Sequence, residues 1–411
     1  MKLLILTQYF PPEVGAPQNR LFELAVRLNK SGVEVTVLTA MPNYPQMEIY
    51  PDYAGKKYLF EEMQGIKVHR SSIYVSRNKS IIPRLRNYFS FVISSALLGR
   101  KINGEFDFLM CESPPLFLGY SAMYLSRKKK AKLIFNVSDL WPESAEKLGV
   151  VTNKWLLGLA YNLEARLYKR SALVTGQTQG ICASIRNRFP SVSTYWLPNG
   201  VDLEYYDPST VAHGDWREKN NFLKTDFILL YAGIVGLAQG LEVVLNAAKN
   251  FKAQPKIKFV ILGSGPEKNK LIGQKEAEGL DNVYFLDAVT KLEMPSILKS
   301  VNATIIPLKK LDIFLGAIPS KIFESLSMEV PVILGVDGEA RELFIDKGNS
   351  GIYFEPENPG ALSGAILKLV NSPELARQRG ENGRRFVNTS FNRELIARDF
   401  YYQLQRLKSE H

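Results

Sequence analysis

Lys321 and Glu324 stand three residues apart in Ile318-Pro319-Ser320-Lys321-Ile322-Phe323-Glu324-Ser325. That spacing puts two side chains on one face of a helix. Pro319 and Ser320 suit its start, since proline fits the first turn and a serine oxygen can accept from free backbone N–H groups. An ammonium and a carboxylate beside a helix N-terminus, itself attractive to anions, could hold a phosphate and a pair of sugar hydroxyls. The same residues also describe an amphipathic helix whose lysine and glutamate are solvated. Val330-Pro331-Val332-Ile333 follows as a buried strand pattern.

Other candidates sit in loops that leave strand-like runs and enter helices. The first such loop carries Gly15, Asn19 and Arg20. It has one glycine where a dinucleotide fingerprint needs three, but Gly15 still permits close backbone approach to a ligand or acceptor. Arg20 is placed either to reach a phosphate or to pair with a carboxylate. In the second half, Gly233-Ile234-Val235-Gly236-Leu237-Ala238-Gln239-Gly240 precedes a helix and suits a backbone cradle for a diphosphate. Gly263-Ser264-Gly265-Pro266 ends the next run, and Asp287-Ala288-Val289 ends another, where it could meet a nucleotide base. Each also reads as plain turn chemistry. Asp139 follows the run 132–137, where it could act as a base, orient an acceptor hydroxyl, or simply cap a helix.

The elements that position these loops come in two series. Strand-like runs cover 2–10, 33–40, 66–75, 106–112, 132–137, 172–178 and 194–201, then 227–234, 258–263, 283–286, 303–308, 330–335 and 351–354. They are short, apolar and not alternating, as strands buried on both faces of a parallel sheet are. Helical patterns separate most of them, at 20–29, 116–127, 154–170, 241–251, 267–278, 292–300, 320–327, 361–370 and 395–407. The alternation implies an α/β protein of two Rossmann-like, doubly wound parallel-sheet domains facing a central cleft. The expected boundaries are 1–203 and 204–390, with a C-terminal helix 391–408 returning to the first domain. Ligands in such folds bind beyond the carboxyl ends of the strands.

Composition narrows the chemistry. The chain has 411 residues, 45% hydrophobic and 23% charged, a length that favours two cores over one. Cys111 and Cys182 lie far apart in apolar contexts, which favours free thiols. With His69, His213 and His411 the only histidines and no Asp-x-Asp pair, no metal site is expected. No nucleophile elbow or phosphate-binding loop ending in Gly-Lys-Ser/Thr occurs. What remains is electrostatic stabilisation of a departing diphosphate by helix N-termini, a lysine and carboxylates, without a cofactor.

The formal net charge is +11. Between residues 76 and 101, Arg77, Lys79, Arg84, Arg86, Arg100 and Lys101 interleave with Tyr88, Phe89, Ile93 and Leu97, without an acidic residue. A second basic run spans 127–132. This suits an anionic membrane surface, or equally a solvated basic face beside a core-facing stripe. The uncharged stretch 87–99 is shorter than the about 20 residues a bilayer crossing needs. Met1-Lys2 runs straight into a strand pattern, so no signal peptide is expected. The reading is of a cytoplasmic protein, peripheral on the inner face of the plasma membrane if the basic helix touches lipid.

Taken together, the Gly15 loop, Pro198-Asn199-Gly200-Val201-Asp202, the glycine loop at 233–241, Gly263 to Pro266 and Pro319 to Ile333 resemble the retaining GT-B glycosyltransferases of family four. The resemblance covers essentially the whole chain. Pro17-Gln18-Asn19-Arg20 and Gly236-Leu237-Ala238-Gln239-Gly240-Leu241 are similar to patterns in bacterial enzymes that build surface polysaccharides, N-acetyl-L-fucosamine transferases among them. The resemblance implies a nucleotide-sugar donor, UDP-linked, and a glycan or polyprenyl-diphosphate-linked acceptor in O-antigen, capsule or exopolysaccharide synthesis. Glu324 matches the second Glu of the family's Glu-x7-Glu motif, which binds the donor ribose. The first falls at Gly316, and the usual Arg and Lys after the glycine loop fall at Ile234 and Gln239. The histidine often found before the first-domain Asp falls at Ser138. The diphosphate is then left to Lys321, backbone N–H groups and Arg20.

Four rival readings compete with this one. A UDP-sugar 2-epimerase on the same fold relies on several cleft carboxylates and histidines, which three histidines and Gly316 argue against. A sugar phosphorylase needs a cofactor lysine that nothing identifies. A nucleic-acid-binding protein would carry a recognition motif, and none occurs. An inactive scaffold stays open because of Gly316.

Overall fold

The computed structural model describes residues 1–13, 15–78, 81–147, 149 and 151–410; Lys79 and His411, named above, lie outside them. The chain divides into two compact units, Met1–Asn199 with Arg393–His411, and Gly200–Asn392.

The first unit holds strands β1 (Lys2–Leu6), β2 (Glu34–Ala40), β3 (Tyr58–Met63), β4 (Ile66–Ser71), β5 (Phe108–Ser113), β6 (Lys132–Val137), β7 (Leu173–Gly176) and β8 (Thr194–Trp196). They form one sheet in the order β3-β4-β2-β1-β5-β6-β7-β8. Leu3 to Leu6 of β1 are completely buried, because helices cover both faces of the sheet. Each such aliphatic side chain contributes roughly 1.5–3 kcal/mol on burial. All pairings are parallel except β3 with β4. The β3–β4 turn places Gln64 and Gly65 at φ 51° and 78°, as a tight hairpin requires. Sequence patterning misses β3 because Tyr58-Leu59-Phe60-Glu61-Glu62-Met63 lies at the sheet edge, half in solvent. It likewise misses the helices Gln179–Arg188 and Pro373–Ser390, which bury only three residues each.

The helix Arg393–Ser409 packs in this first unit. Phe400, Leu404 and Leu407 join the cluster of Leu21, Leu24 and Leu28 from the helix Ala16–Lys30. Arg393 pairs with Glu23, and Arg27 with Glu394 at 2.7 Å.

The second unit holds β9 (Phe227–Ala232), β10 (Ile257–Leu262), β11 (Val283–Leu286), β12 (Ala303–Pro307), β13 (Val332–Gly335) and β14 (Gly351–Tyr353). Their order is β11-β10-β9-β12-β13-β14, parallel throughout. In both sheets the first strand of the unit lies centrally, and strand order reverses beside it. The carboxyl ends of β1 and β9 are therefore the topological switch points where ligands bind in such sheets. Among the described residues no helix is long and apolar enough to cross a membrane.

Candidate functional site

In the second unit the loops leaving β9 and β10 are pressed backbone to backbone. A Cβ on Gly263 would lie 1.9 Å from the Gly233 carbonyl oxygen, and one on Gly265 would lie 2.2 Å from that of Val235. Gly233 N–H donates to Leu262 at 2.9 Å and Val235 N–H to Ser264 at 2.9 Å. Gly233 and Gly263 have φ of 140° and 153°, so only glycine suits either position.

Lys321, at the start of the helix Lys321–Ser327, reaches this junction. Its Nζ is 2.9 Å from the place a Gly233 Cβ would occupy and 3.9 Å from the centre of the Tyr231 ring. Burial pushes the ammonium down to about 8, while Glu324 nearby acts to raise it. The ring face compensates part of the lost hydration. The Tyr231 hydroxyl donates to the Ile234 carbonyl and holds the loop over the lysine. Lys321, Glu324 and Ser325 also line a small cavity with Ala232 and Met294. The structure thus brings Gly233, Gly263 and Lys321 together, with Glu324 on the same helix.

Ser320 corrects the expected cap. It has helical backbone angles and its side chain makes no capping bond; the first turn closes instead through Ile322 N–H to Pro319 and Phe323 N–H to Ser320. The glycine loop also departs from a simple run into a helix. Gly236 is extended at φ −123°, Leu237–Gln239 form one 3-10 turn, and Gly240 at φ 56° ends it. Gln239 folds back so that its Oε1 is 2.9 Å from where a Gly236 Cβ would stand. Asp287 projects into solvent, but Lys268 Nζ donates to it at 2.8 Å and also to Gly263 and Leu286 carbonyls at 2.9 and 3.0 Å. Its carboxyl is held below the usual range by that lysine. Val289 is half-buried on the same loop.

In the first unit Arg20 is committed to a buried network. Its Nη2 donates to Glu112 Oε1 and to Ser138 Oγ, both at 2.8 Å. Ser138 and Asn136 donate to Glu112 in turn, and Thr175 Oγ1 donates to Asn136. Arg20 and Glu112 are 6% and 3% exposed, so the guanidinium makes the carboxylate pair, one of the two roles its position allowed. The reason is the sheet order, which sets the carboxyl ends of β5 and β6 beside the loop after β1. The buried Arg20 Nη1 has no hydrogen-bond partner among the described residues.

Gly15 is extended at φ 178°; a Cβ there would strike the Gln18 side chain at 2.4 Å. Asn19 N–H donates to Gly15 at 3.1 Å, leaving its side chain half-buried. Asp139 is exposed, and its Oδ2 accepts from Ser144 Oγ at 2.8 Å. Desolvation by the surrounding atoms raises its carboxyl above the usual value, the serine bond opposing. Two carboxylates escape sequence reasoning. Glu112 ends an apolar strand, and that position at a carboxyl end was the available signal. Glu13, 1% exposed, accepts from Asn43 and Tyr44 N–H at 2.8 Å and Phe10 N–H at 3.1 Å, clamping the loops after β1 and β2. Its burial pushes the carboxyl upward, against those bonds. Among the described residues no three His, Cys, Asp or Glu side chains are grouped to hold a metal ion.

Two family descriptions match this chain, "Glycosyl transferase 4-like domain" over residues 15–200 and "Glycosyl transferases group 1" over residues 213–386. The chain belongs to the glycosyltransferases of GT-B fold. WcaI of Escherichia coli K12, a glycosyl transferase assigned to colanic acid biosynthesis, is 25% identical over 97% of this chain and 98% of its own. D-rhamnosyltransferase WbpZ of Pseudomonas aeruginosa is 27% identical over 91% of this chain and 87% of its own. Among solved structures, HepE of Anabaena in complex with UDP and glucose superposes with a TM-score of 0.74 at 15% identity, covering 99% of this chain and 100% of HepE.

Proposed function

We propose that this glycosyltransferase moves a sugar, such as an N-acetylated amino sugar, from a UDP-linked donor with retention of configuration. The acceptor is a glycan or lipid-linked saccharide of bacterial surface-polysaccharide synthesis. The observation that carries the reading is the desolvated Lys321 ammonium held against the Gly233–Gly263 junction, with no carboxylate but Glu324 acting on it among the described residues. The diphosphate lies on Lys321 and the Gly236 loop, the ribose on Glu324, and the base near Asp287 and Val289, while Gln239 and Ser320 border the phosphates. HepE's complex with UDP and glucose and the names of WcaI and WbpZ support the donor class and the pathway class.

In the reaction the bond from anomeric carbon to diphosphate oxygen breaks and the diphosphate leaves with the electron pair. The acceptor hydroxyl adds to the same face, and its proton passes to the departing phosphate oxygen. Asp139, in the same unit as Gly15 and Asn19, orients that hydroxyl. Lys321 and the loop amides offset the developing charge without a metal ion. Peripheral contact with the anionic inner leaflet is supported by one stripe of the helix Ile81–Gly99. There Ile82, Phe89, Ile93 and Leu97 are 71%, 39%, 60% and 51% exposed, and Arg86 stands among them.

A thermal-shift panel of UDP, GDP, dTDP and CDP, each with magnesium and with chelator, tests the proposal. UDP is expected to stabilise the protein equally in both. Stabilisation only with magnesium, or by none of the four, would overturn it.

A further inference from the structure

The glycine loop from Gly233 to Leu241 carries no charged side chain. A diphosphate seated on it brings several negative charges, which must be met by side chains from other parts of the unit. Lys321 supplies one ammonium at Gly233, where the loop begins. Other cations on loops at this end of the sheet are engaged. Lys268 Nζ donates to Asp287 and to two carbonyls, Lys310 Nζ donates to Glu355 at 2.6 Å, and Arg341 pairs with Asp337 and Asp346.

Lys309 is different. It stands two residues beyond β12, the strand beside β9, and is half-buried; its side chain makes no hydrogen bond or ion pair among the described residues. The backbone here is fixed on two sides. Lys309 N–H donates to the Ala238 carbonyl at 2.9 Å, and Leu308 N–H donates to the Gly335 carbonyl at 3.0 Å. The first bond ties Lys309 to the 3-10 turn Leu237–Gln239 of the glycine loop. Its stem then lies against Gly240, with Cγ 3.2 Å from where a Cβ on that residue would stand. Glu242, at the start of the next helix, is close enough for the Lys309 charge to help lower its carboxyl, but that carboxylate already accepts from Lys270 Nζ at 2.9 Å. A half-buried ammonium without a bonded anion is costly to hold, and a bound anion returns that cost.

We propose that Lys309 is a second cation for the donor diphosphate, meeting the glycine loop at Gly240 while Lys321 meets it at Gly233. The proposal rests on the donor reading above and adds a residue to it. An ammonium at each end of an uncharged backbone cradle lets the two phosphates share the loop amides without sharing one charge. Lys310, the next residue, takes no part, because its N–H and its ammonium are bonded to Glu357 and Glu355.

Calorimetric titration of UDP, and separately of inorganic pyrophosphate, into the full-length protein tests this. Lys309→Met keeps the stem against Gly240 and removes the charge, so it should weaken both ligands about tenfold, the usual worth of a bond to a charged group. Lys309→Arg should retain most of the affinity, and Lys310→Met should leave both ligands unchanged. Equal affinity in wild type and Lys309→Met, or an equal loss in Lys310→Met, would overturn the assignment and leave the donor reading standing, since UDP would still bind. Pyrophosphate binding that depends on Lys309, with no binding of UDP, would support the assignment and refute the nucleotide. Binding of neither ligand to the wild-type protein would overturn both.

Discussion

Lys321→Met should make the unliganded protein more stable while abolishing its response to UDP. The ammonium falls from 10.5 to about 8 on folding because it is desolvated, which corresponds to a cost of order 3 kcal/mol. The sign follows from proton counting. Between pH 8 and 10.5 the unfolded lysine holds its proton and the folded one has lost it, so stability rises with pH across that window. Below pH 8 the full cost is present, and it is there that methionine, of similar volume and able to pack on the Tyr231 ring, gains most. An upper bound of about 3 kcal/mol at pH 7 follows, shrinking to nothing above pH 10.5. The UDP response runs the other way. A bound diphosphate needs the ammonium, so wild-type affinity should fall by up to about tenfold per pH unit above 8. The phosphates themselves titrate near pH ~6 and add no slope there. Urea denaturation at pH 7 and 10, with UDP titrations at pH 7, 8.5 and 9.5, reads both effects. A variant less stable than wild type at pH 7, or a wild-type affinity flat to pH 9.5, would refute the assignment of Lys321 as a buried cation awaiting an anion.

Arg20→Met should cost about 3–5 kcal/mol in denaturant unfolding, because it strands the buried Glu112 carboxylate, and adding Glu112→Leu should recover most of that loss. Gly263→Ala drives a methyl group into the Gly233 carbonyl at a φ of 153°, so it should lose about 2 kcal/mol and the UDP thermal shift together. Gly273→Ala, in the helix Lys268–Ala277 with open space around it, should instead be neutral or gain up to ~1 kcal/mol. Asp139→Asn should keep the UDP shift and lose transfer. Its raised carboxyl means that wild-type transfer declines as acid protonates it, at a pH above that of an ordinary aspartate, which a pH–rate profile will locate.

Much of this architecture was legible because strands buried on both faces leave apolar runs that no surface element copies. β1 and β9 stood out for that reason, and the alternation with helices gave the doubly wound class. β3 did not, since an edge strand needs only one dry face and its glutamates masked the pattern. The Lys321–Glu324 pair was readable from spacing alone. Its surroundings were not: that Gly233, Gly263 and Gly265 are needed for backbone contact, and not for a ligand alone, depends on which strands become neighbours. Glu112 and Glu13 were invisible for the same reason, being single carboxylates with partners as far as 92 and 31 residues away. Ser320 shows the opposite failure, a residue of the right type whose backbone already belongs to the turn it was meant to cap.

The excursion of the chain carries a consequence for biogenesis. Gly200–Asn392 is inserted between two pieces of the other unit, and a bridge from Val201 to Asn392 brings its two ends together. During synthesis this inserted body can close as soon as its last strand and helices emerge. The earlier-made unit must wait for Phe400, Leu404 and Leu407, leaving Leu21, Leu24 and Leu28 only partly covered until the helix Arg393–Ser409 has been made. Stalling or termination before the helix Arg393–Ser409 is made would therefore spoil the half that was translated first.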